Sequence, residues 1–341
     1  MAAASLLRQR AVFAVAAFST AASAARADAP RPVRLATSAA RPFRPTTVLV
    51  HGLDSSKQTW ETCLATLACE GYPVLAVDLR GHGESALGRA ADFAPATLAA
   101  DVVAAARRSG ARGPLVVVGH SMGGRIAMRV AADFPRDVAA IVVEDMDVRP
   151  REVPARPPGA SIDAFADDGA ARRFASLDEA VAALAPWYGA ARAREWAGTR
   201  LRPLPGGGVW SDINPAAMTL GRERVLGSDD GARAWRALAA RAAGGESVAA
   251  GRGGAPPLRV HLLVAGVKGT VCTWDGEGGI HSMSETMPSA TVHEFPHAGH
   301  SIHNSEDRKA VLEIVKSAVD EVAAAAGDDP EVAFDEDSTP F

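Results

Sequence analysis

The sequence predicts an α/β fold: a mostly parallel, doubly wound sheet carrying a helical insertion. Three observations lead there. Short, continuously apolar runs recur at 46–50, 73–77, 116–118, 139–143 and 260–264, as expected of strands covered on both faces. Stretches with apolar residues at helical spacing separate them. From Arg149 to about Pro257 that alternation stops, proline and glycine clusters appear, and no convincing strand is visible.

In chain order, 31–45 is rich in proline and arginine and reads as a linker with a first irregular strand. Thr46-Thr47-Val48-Leu49-Val50 is the first clear strand, and His51-Gly52-Leu53-Asp54 ends it. Trp60, Cys63, Leu64 and Leu67 mark the next helix. Residues 73–77 form a strand running into Asp78-Leu79-Arg80-Gly81-His82-Gly83-Glu84-Ser85. A helix follows over about 96–108, with Pro95 suited to its first turn. After the strand at 139–143 come Glu144, Asp145, Met146 and Asp147. Within the insertion, helices are expected near 177–184 and 232–242. Strands then return at 260–264 and 291–295. The closing helix aligns Val311, Ile314, Val315, Ala318, Val319 and Val322 on one face.

The chemistry centres on Val116-Val117-Val118-Gly119-His120-Ser121-Met122-Gly123-Gly124. A buried strand meets a sharp turn and then a helix, the setting in which Gly-x-Ser-x-Gly presents a nucleophilic hydroxyl. Such a turn strains the serine backbone, so the residues two places away must be small, and Gly119 and Gly123 are. The Met122 amide at the helix N-terminus can face a developing oxyanion, and the Leu53 amide after His51-Gly52 is the second expected donor. His51, His82 and His120 read as structural hydrogen-bonding residues.

A serine hydroxyl needs a base, and the base needs an orienting carboxylate. His300, in His297-Ala298-Gly299-His300-Ser301-Ile302-His303, is the expected base, with His297 and His303 as alternatives. Asp145 at a strand end is the favoured acid and Asp275 the alternative, with Glu144 and Asp147 behind them. A metal site built from His293, His297, His300 and His303 lacks an acid or cysteine at ligand spacing, so no metal is expected. Four of the six tryptophans, Trp187, Trp196, Trp210 and Trp235, lie in the insertion with Tyr188. Trp187 and Trp210 are candidate walls for an apolar substrate group; the alternative is that these rings fasten the insertion to the core.

At Val50-His51-Gly52, at 78–85, at 119–124 and at Ala298-Gly299-His300 the chain resembles the α/β-hydrolase family, and within it the small carboxylesterase, abhydrolase-domain branch. The resemblance covers 48 to about 322. It implies an α/β-hydrolase fold with a helical cap inserted after strand 6, and a serine esterase or lipase-like hydrolase without cofactor. Such an enzyme acts through an acyl-enzyme on a small-molecule ester, and the tryptophans point to an apolar part in it. Gly269 stands where the family often has its aspartate, so both Asp145 and Asp275 stay open. The same triad also serves acyltransferase, haloperoxidase-like and carbon–carbon bond hydrolase chemistry, and a pocket of this kind can serve as a non-catalytic ligand site.

Composition bounds the rest. The chain has 341 residues, with 36 Lys+Arg against 40 Asp+Glu and a net charge of −4, which argues against a nucleic-acid partner. Cys63, Cys69 and Cys272 make no disulfide framework. The glycines do not form Gly-x-Gly-x-x-Gly, and no Gly-Lys-Ser/Thr is present. Residues 1–30 hold Arg8, Arg10 and Arg26, an apolar stretch too short to cross a bilayer, and small-residue endings. They read as a targeting segment, for a chloroplast or mitochondrion or alternatively for secretion. No transmembrane segment is expected. The remaining organisation is core at 31–147, cap at 148–257, core at 258–326 and an acidic disordered tail at 327–341.

Overall fold

The computed structural model describes residues 18–19, 44–111, 113–156, 172–212, 214–244, 255–267 and 271–326. The expected targeting segment apart from 18–19, the irregular strand before residue 44, Gly269 and the acidic tail lie outside them. In chain order the first half comprises β1 (Phe18–Ser19), β2 (Thr47–Val50), α1 (Glu61–Cys69), β3 (Val74–Asp78), α2 (Pro95–Arg108), β4 (Leu115–His120), α3 (Met122–Asp133) and β5 (Val138–Glu144). The insertion follows with β6 (Arg173–Phe174), α4 (Leu177–Tyr188), α5 (Ala190–Arg200), β7 (Leu201–Pro203), β8 (Val209–Ser211), α6 (Pro215–Leu220), a π-helical segment Gly221–Leu226 and α7 (Asp230–Ala243). The chain closes with β9 (Arg259–Ala265), α8 (Ile280–Thr286), β10 (Thr291–Phe295) and α9 (Arg308–Ala326).

The main sheet runs β1-β3-β2-β4-β5-β9-β10, and every pairing is parallel. Successive strand residues serve opposite faces. Val48, Val50, Val117 and Val143 join the core beneath α2, α3 and α7, whereas Leu49, Val116, Val118 and Val142 pack under α1 and α9. Both faces are therefore apolar, and this is why the strands read as continuous rather than alternating. From β2 the chain steps outward to β3, then returns to β4 on the other side of β2. The loops after β2 and β4 diverge over the carboxyl edge, where open parallel sheets place their sites.

The insertion leaves after β5, the strand following the serine strand, and not after a sixth strand as expected: five described strands precede it, and the irregular strand expected before residue 44 lies outside the described residues. Besides helices it holds a small antiparallel sheet, β6-β8-β7. Strands of two and three residues are too short to show a period, so nothing in the pattern announced them. Gly206, Gly207 and Gly208, all at positive φ (89°, 105° and 81°), turn the chain from β7 into β8. Arg172 fastens the insertion to the core by donating to the carbonyls of Gly83 (2.6 Å) and Ser85 (3.1 Å). α7, inside the stretch assigned to the cap, instead packs Ala234, Trp235 and Leu238 into the core cluster shared with α3.

Candidate active site

The turn after β4 is built as its glycines require. A Cβ on Gly119 would overlap the Gly123 carbonyl oxygen, and one on Gly123 would overlap the Val50 and His51 oxygens. Only hydrogen lets α3 start this close to β2 and β4. Ser121 sits between the two glycines at φ 54°, ψ −123°. Among the described residues only one other non-glycine residue has positive φ, Asp145 at 44°. Backbone strain of this kind persists only where surrounding structure imposes it, and it concentrates at functional positions.

Asp145 follows β5 and is fully buried. Its Oδ2 accepts from His300 Nδ1 at 2.6 Å and from the Val271 amide at 3.1 Å, and its Oδ1 accepts weakly from the Ala265 amide at 3.4 Å. This fixes the His300 tautomer, leaving Nε2 to act as a base. The His300 ring lies 4.5 Å from the His120 ring, next to Ser121 in sequence. Ser121 Oγ makes no hydrogen bond with His300, a link that in enzymes of this kind commonly tightens only with substrate present.

The other candidates go elsewhere. Asp275 pairs with His281 (3.1 Å) and its side chain is 92% exposed. Asp147 is buried and tied to Arg149, Arg151 and Thr273. Glu144 takes His303 (2.7 Å), and both side chains are fully buried. His297 is exposed, and His293 faces His261 at 3.1 Å. His293, His300 and His303 thus turn to separate partners. Cys63 is buried and its thiol is pushed up to about 12, chiefly by that burial.

Met122 is the first residue of α3, so its amide is one of that helix's unpaired N-terminal donors. Leu53 follows Gly52, whose own Cβ would stand 3.2 Å from Ser121 Cβ; the turn carrying the Leu53 amide therefore lies against the serine. The Leu53 carbonyl is held by His82 Nε2 at 2.7 Å. His82 Nδ1 faces the Arg80 carbonyl at the longer distance of 3.1 Å. His51 donates from Nδ1 to the Gly52 carbonyl (2.7 Å) and accepts from the Leu79 amide (3.1 Å).

Trp187 lines a small cap cavity of about 80 Å³ with Val153, Tyr188, Thr219 and Arg222. Trp210 lies under the Arg172 guanidinium, 4.4 Å from its ring centroid. Trp235 is buried and donates to the Met283 carbonyl (3.1 Å). Of Trp196 only the backbone is described.

Burial holds three of these imidazoles neutral. It lowers His51 to about 3, with His82 adding to the effect, lowers His120 to about 4 against the pull of Glu144, and lowers His82 as well. Below pH 6.5 the unfolded chain binds protons that the fold excludes. Stability is therefore full above that pH and falls as pH drops toward the folded values. Urea unfolding should show stability declining between pH 7 and pH 5, by up to about 1.4 kcal/mol per unit for each histidine. A flat profile over that range would contradict the neutral assignment.

Comparison with known proteins decides the lineage. A family model described as alpha/beta hydrolase family matches residues 47–314. The chain belongs to the alpha/beta hydrolase family. It is 38% identical over 102 residues to the esterase Rv0045c of Mycobacterium tuberculosis, covering 30% of this chain and 33% of that protein. It is 31% identical over 199 residues to the lipase LipV of the same organism, covering 57% and 63%. The chain thus spans less than two thirds of either relative's length. Among solved structures, the thioesterase domain from the curacin biosynthetic pathway superposes with a TM-score of 0.53 at 18% identity, covering 81% of this chain and 92% of that one. A marine microorganism esterase gives 0.53 at 18%, covering 80% and 94%. These likenesses carry the fold.

Proposed function

We propose that this alpha/beta hydrolase cleaves carboxylic esters through an acyl-enzyme. Ser121 Oγ attacks the ester carbonyl while His300 Nε2 takes its proton. The oxyanion that forms is met by the amides of Leu53 and Met122. Collapse expels the alcohol, which leaves with the proton returned by His300. Water then attacks the acyl group, again with His300 as base, and Ser121 is regenerated. Asp145 keeps His300 in the tautomer this sequence needs. The observation that carries the reading is the 2.6 Å contact between Asp145 and His300, together with the strained backbone of Ser121 and Asp145. The names of the curated relatives, esterase and lipase, agree with it.

The side chain of Leu53 packs against the cap cluster of Leu184, Ala193 and Met218, with Tyr188 beside it. This apolar surface beside the oxyanion donor is our choice for the acyl or alcohol group, with Trp187 on the cap cavity nearby. A panel of 4-nitrophenyl esters of rising acyl length, run beside matched thioesters and 1,3-diketones, tests the reaction class. Ester turnover should exceed the others by at least ~10-fold in kcat/KM. A diketone or thioester that outruns every ester would move the protein to another chemistry of the same triad.

A further inference from the structure

The turn after each of two neighbouring strands supplies one residue to the proposed chemistry, and the residue just before it holds the loop carrying His300. On β4 that residue is His120, preceding Ser121; on β5 it is Glu144, preceding Asp145. The two are partners in the parallel register. His120 Nε2 donates to the carbonyl of His300 at 2.9 Å. Glu144 Oε1 accepts from the backbone amide of His303 at 3.0 Å and from its ring Nδ1 at 2.7 Å. The loop is thus held at the carbonyl of His300 and again three residues on.

His303 is built to keep this arrangement. Its ring is fully buried, stacked on Trp60 with centroids 3.9 Å apart, and its Nε2 meets Thr59 Oγ1 at 2.9 Å and Asn304 Nδ2 at 3.1 Å. The His120 ring lies between the two loop histidines, 4.5 Å from His300 and 5.0 Å from His303. Burial opposes the charge on Glu144, yet the imidazole and amide of His303 and the ring of His120 keep its carboxyl below the usual range. A buried carboxylate bound to one loop is a directional anchor, because releasing it would leave an uncompensated charge.

We propose that Glu144, His303 and His120 are positioning residues for His300: a second acid–imidazole pair, outside the reaction, that sets the reach of the base toward Ser121. The inference rests on the esterase reading above. Positioning acts on the transition state more than on substrate binding, and a shift of about 1 Å at a reacting group can remove about 10²-fold in rate.

The test uses the full chain with a 4-nitrophenyl ester, and rates are normalised to the folded fraction. Glu144→Gln keeps the shape but removes the charge, and should lower kcat ~10- to 100-fold with KM within ~3-fold. His303→Asn places an amide N–H where Nδ1–H stood and should retain kcat within ~5-fold, whereas His303→Leu should lose at least ~10-fold. If Glu144→Gln does not fold, the His303 pair decides alone. Wild-type kcat in Glu144→Gln or His303→Leu overturns the proposal, as does loss confined to KM, or His303→Asn failing as badly as His303→Leu. A wild-type protein that neither turns over the ester nor reacts with a fluorophosphonate overturns the esterase reading instead.

Discussion

Ser121→Ala lowers kcat on a 4-nitrophenyl ester by at least ~10³-fold while leaving the urea midpoint close to wild type. The rate falls because no other hydroxyl replaces Oγ at the turn, and the acyl-enzyme route closes. Stability survives because the substitution removes one oxygen from a side chain that makes no hydrogen bond among the described residues, and the turn geometry is imposed by Gly119 and Gly123 rather than by the hydroxyl. Any activity that remains comes from the oxyanion donors and binding alone. Steady-state kinetics on a preparation free of host esterase makes the check, and a rate within tenfold of wild type would remove the mechanism.

Asp145→Asn is the second large effect, expected at ~10²- to 10⁴-fold in kcat. The amide cannot accept from His300 Nδ1–H with the same strength. Turned the other way, it donates to Nδ1 and leaves the proton on Nε2, where the base must be free. Asp275→Asn should stay within about twofold of wild type, since that carboxylate is exposed and, among the described residues, joined only to His281. The two variants measured side by side separate the acids. Loss in Asp275→Asn with activity kept in Asp145→Asn would reverse the assignment.

The fold was legible because its signals are local. Each apolar run is a strand with both faces buried, and the turn chemistry of Gly119 and Gly123 follows from how closely α3 approaches β2. The candidate acid was less legible: Asp145 and Asp275 both follow strands that end at one edge, and sequence spacing does not say which carboxylate turns inward. Burial separates them, with Asp145 enclosed and Asp275 in solvent. The pairing of Glu144 with His303 was missed, although its signal was present: two consecutive acids on a strand end and two histidines three residues apart on one loop. Taken singly, each of those residues reads as a spare acid or base, and the match depends on strand register, which single-residue reasoning does not use. The strands β6 to β8 gave no periodic signal, and the packing of α7 on α3 depends on long-range contacts that helical spacing does not specify.

The account depends most on the hydroxyl of Ser121 being activated by His300. Incubating the folded protein with a fluorophosphonate and mapping the adduct by peptide mass spectrometry tests this directly. The account predicts one adduct per chain, on the peptide containing Ser121, formed far more slowly in Asp145→Asn. An adduct on a different residue, or none from a folded preparation, would contradict it.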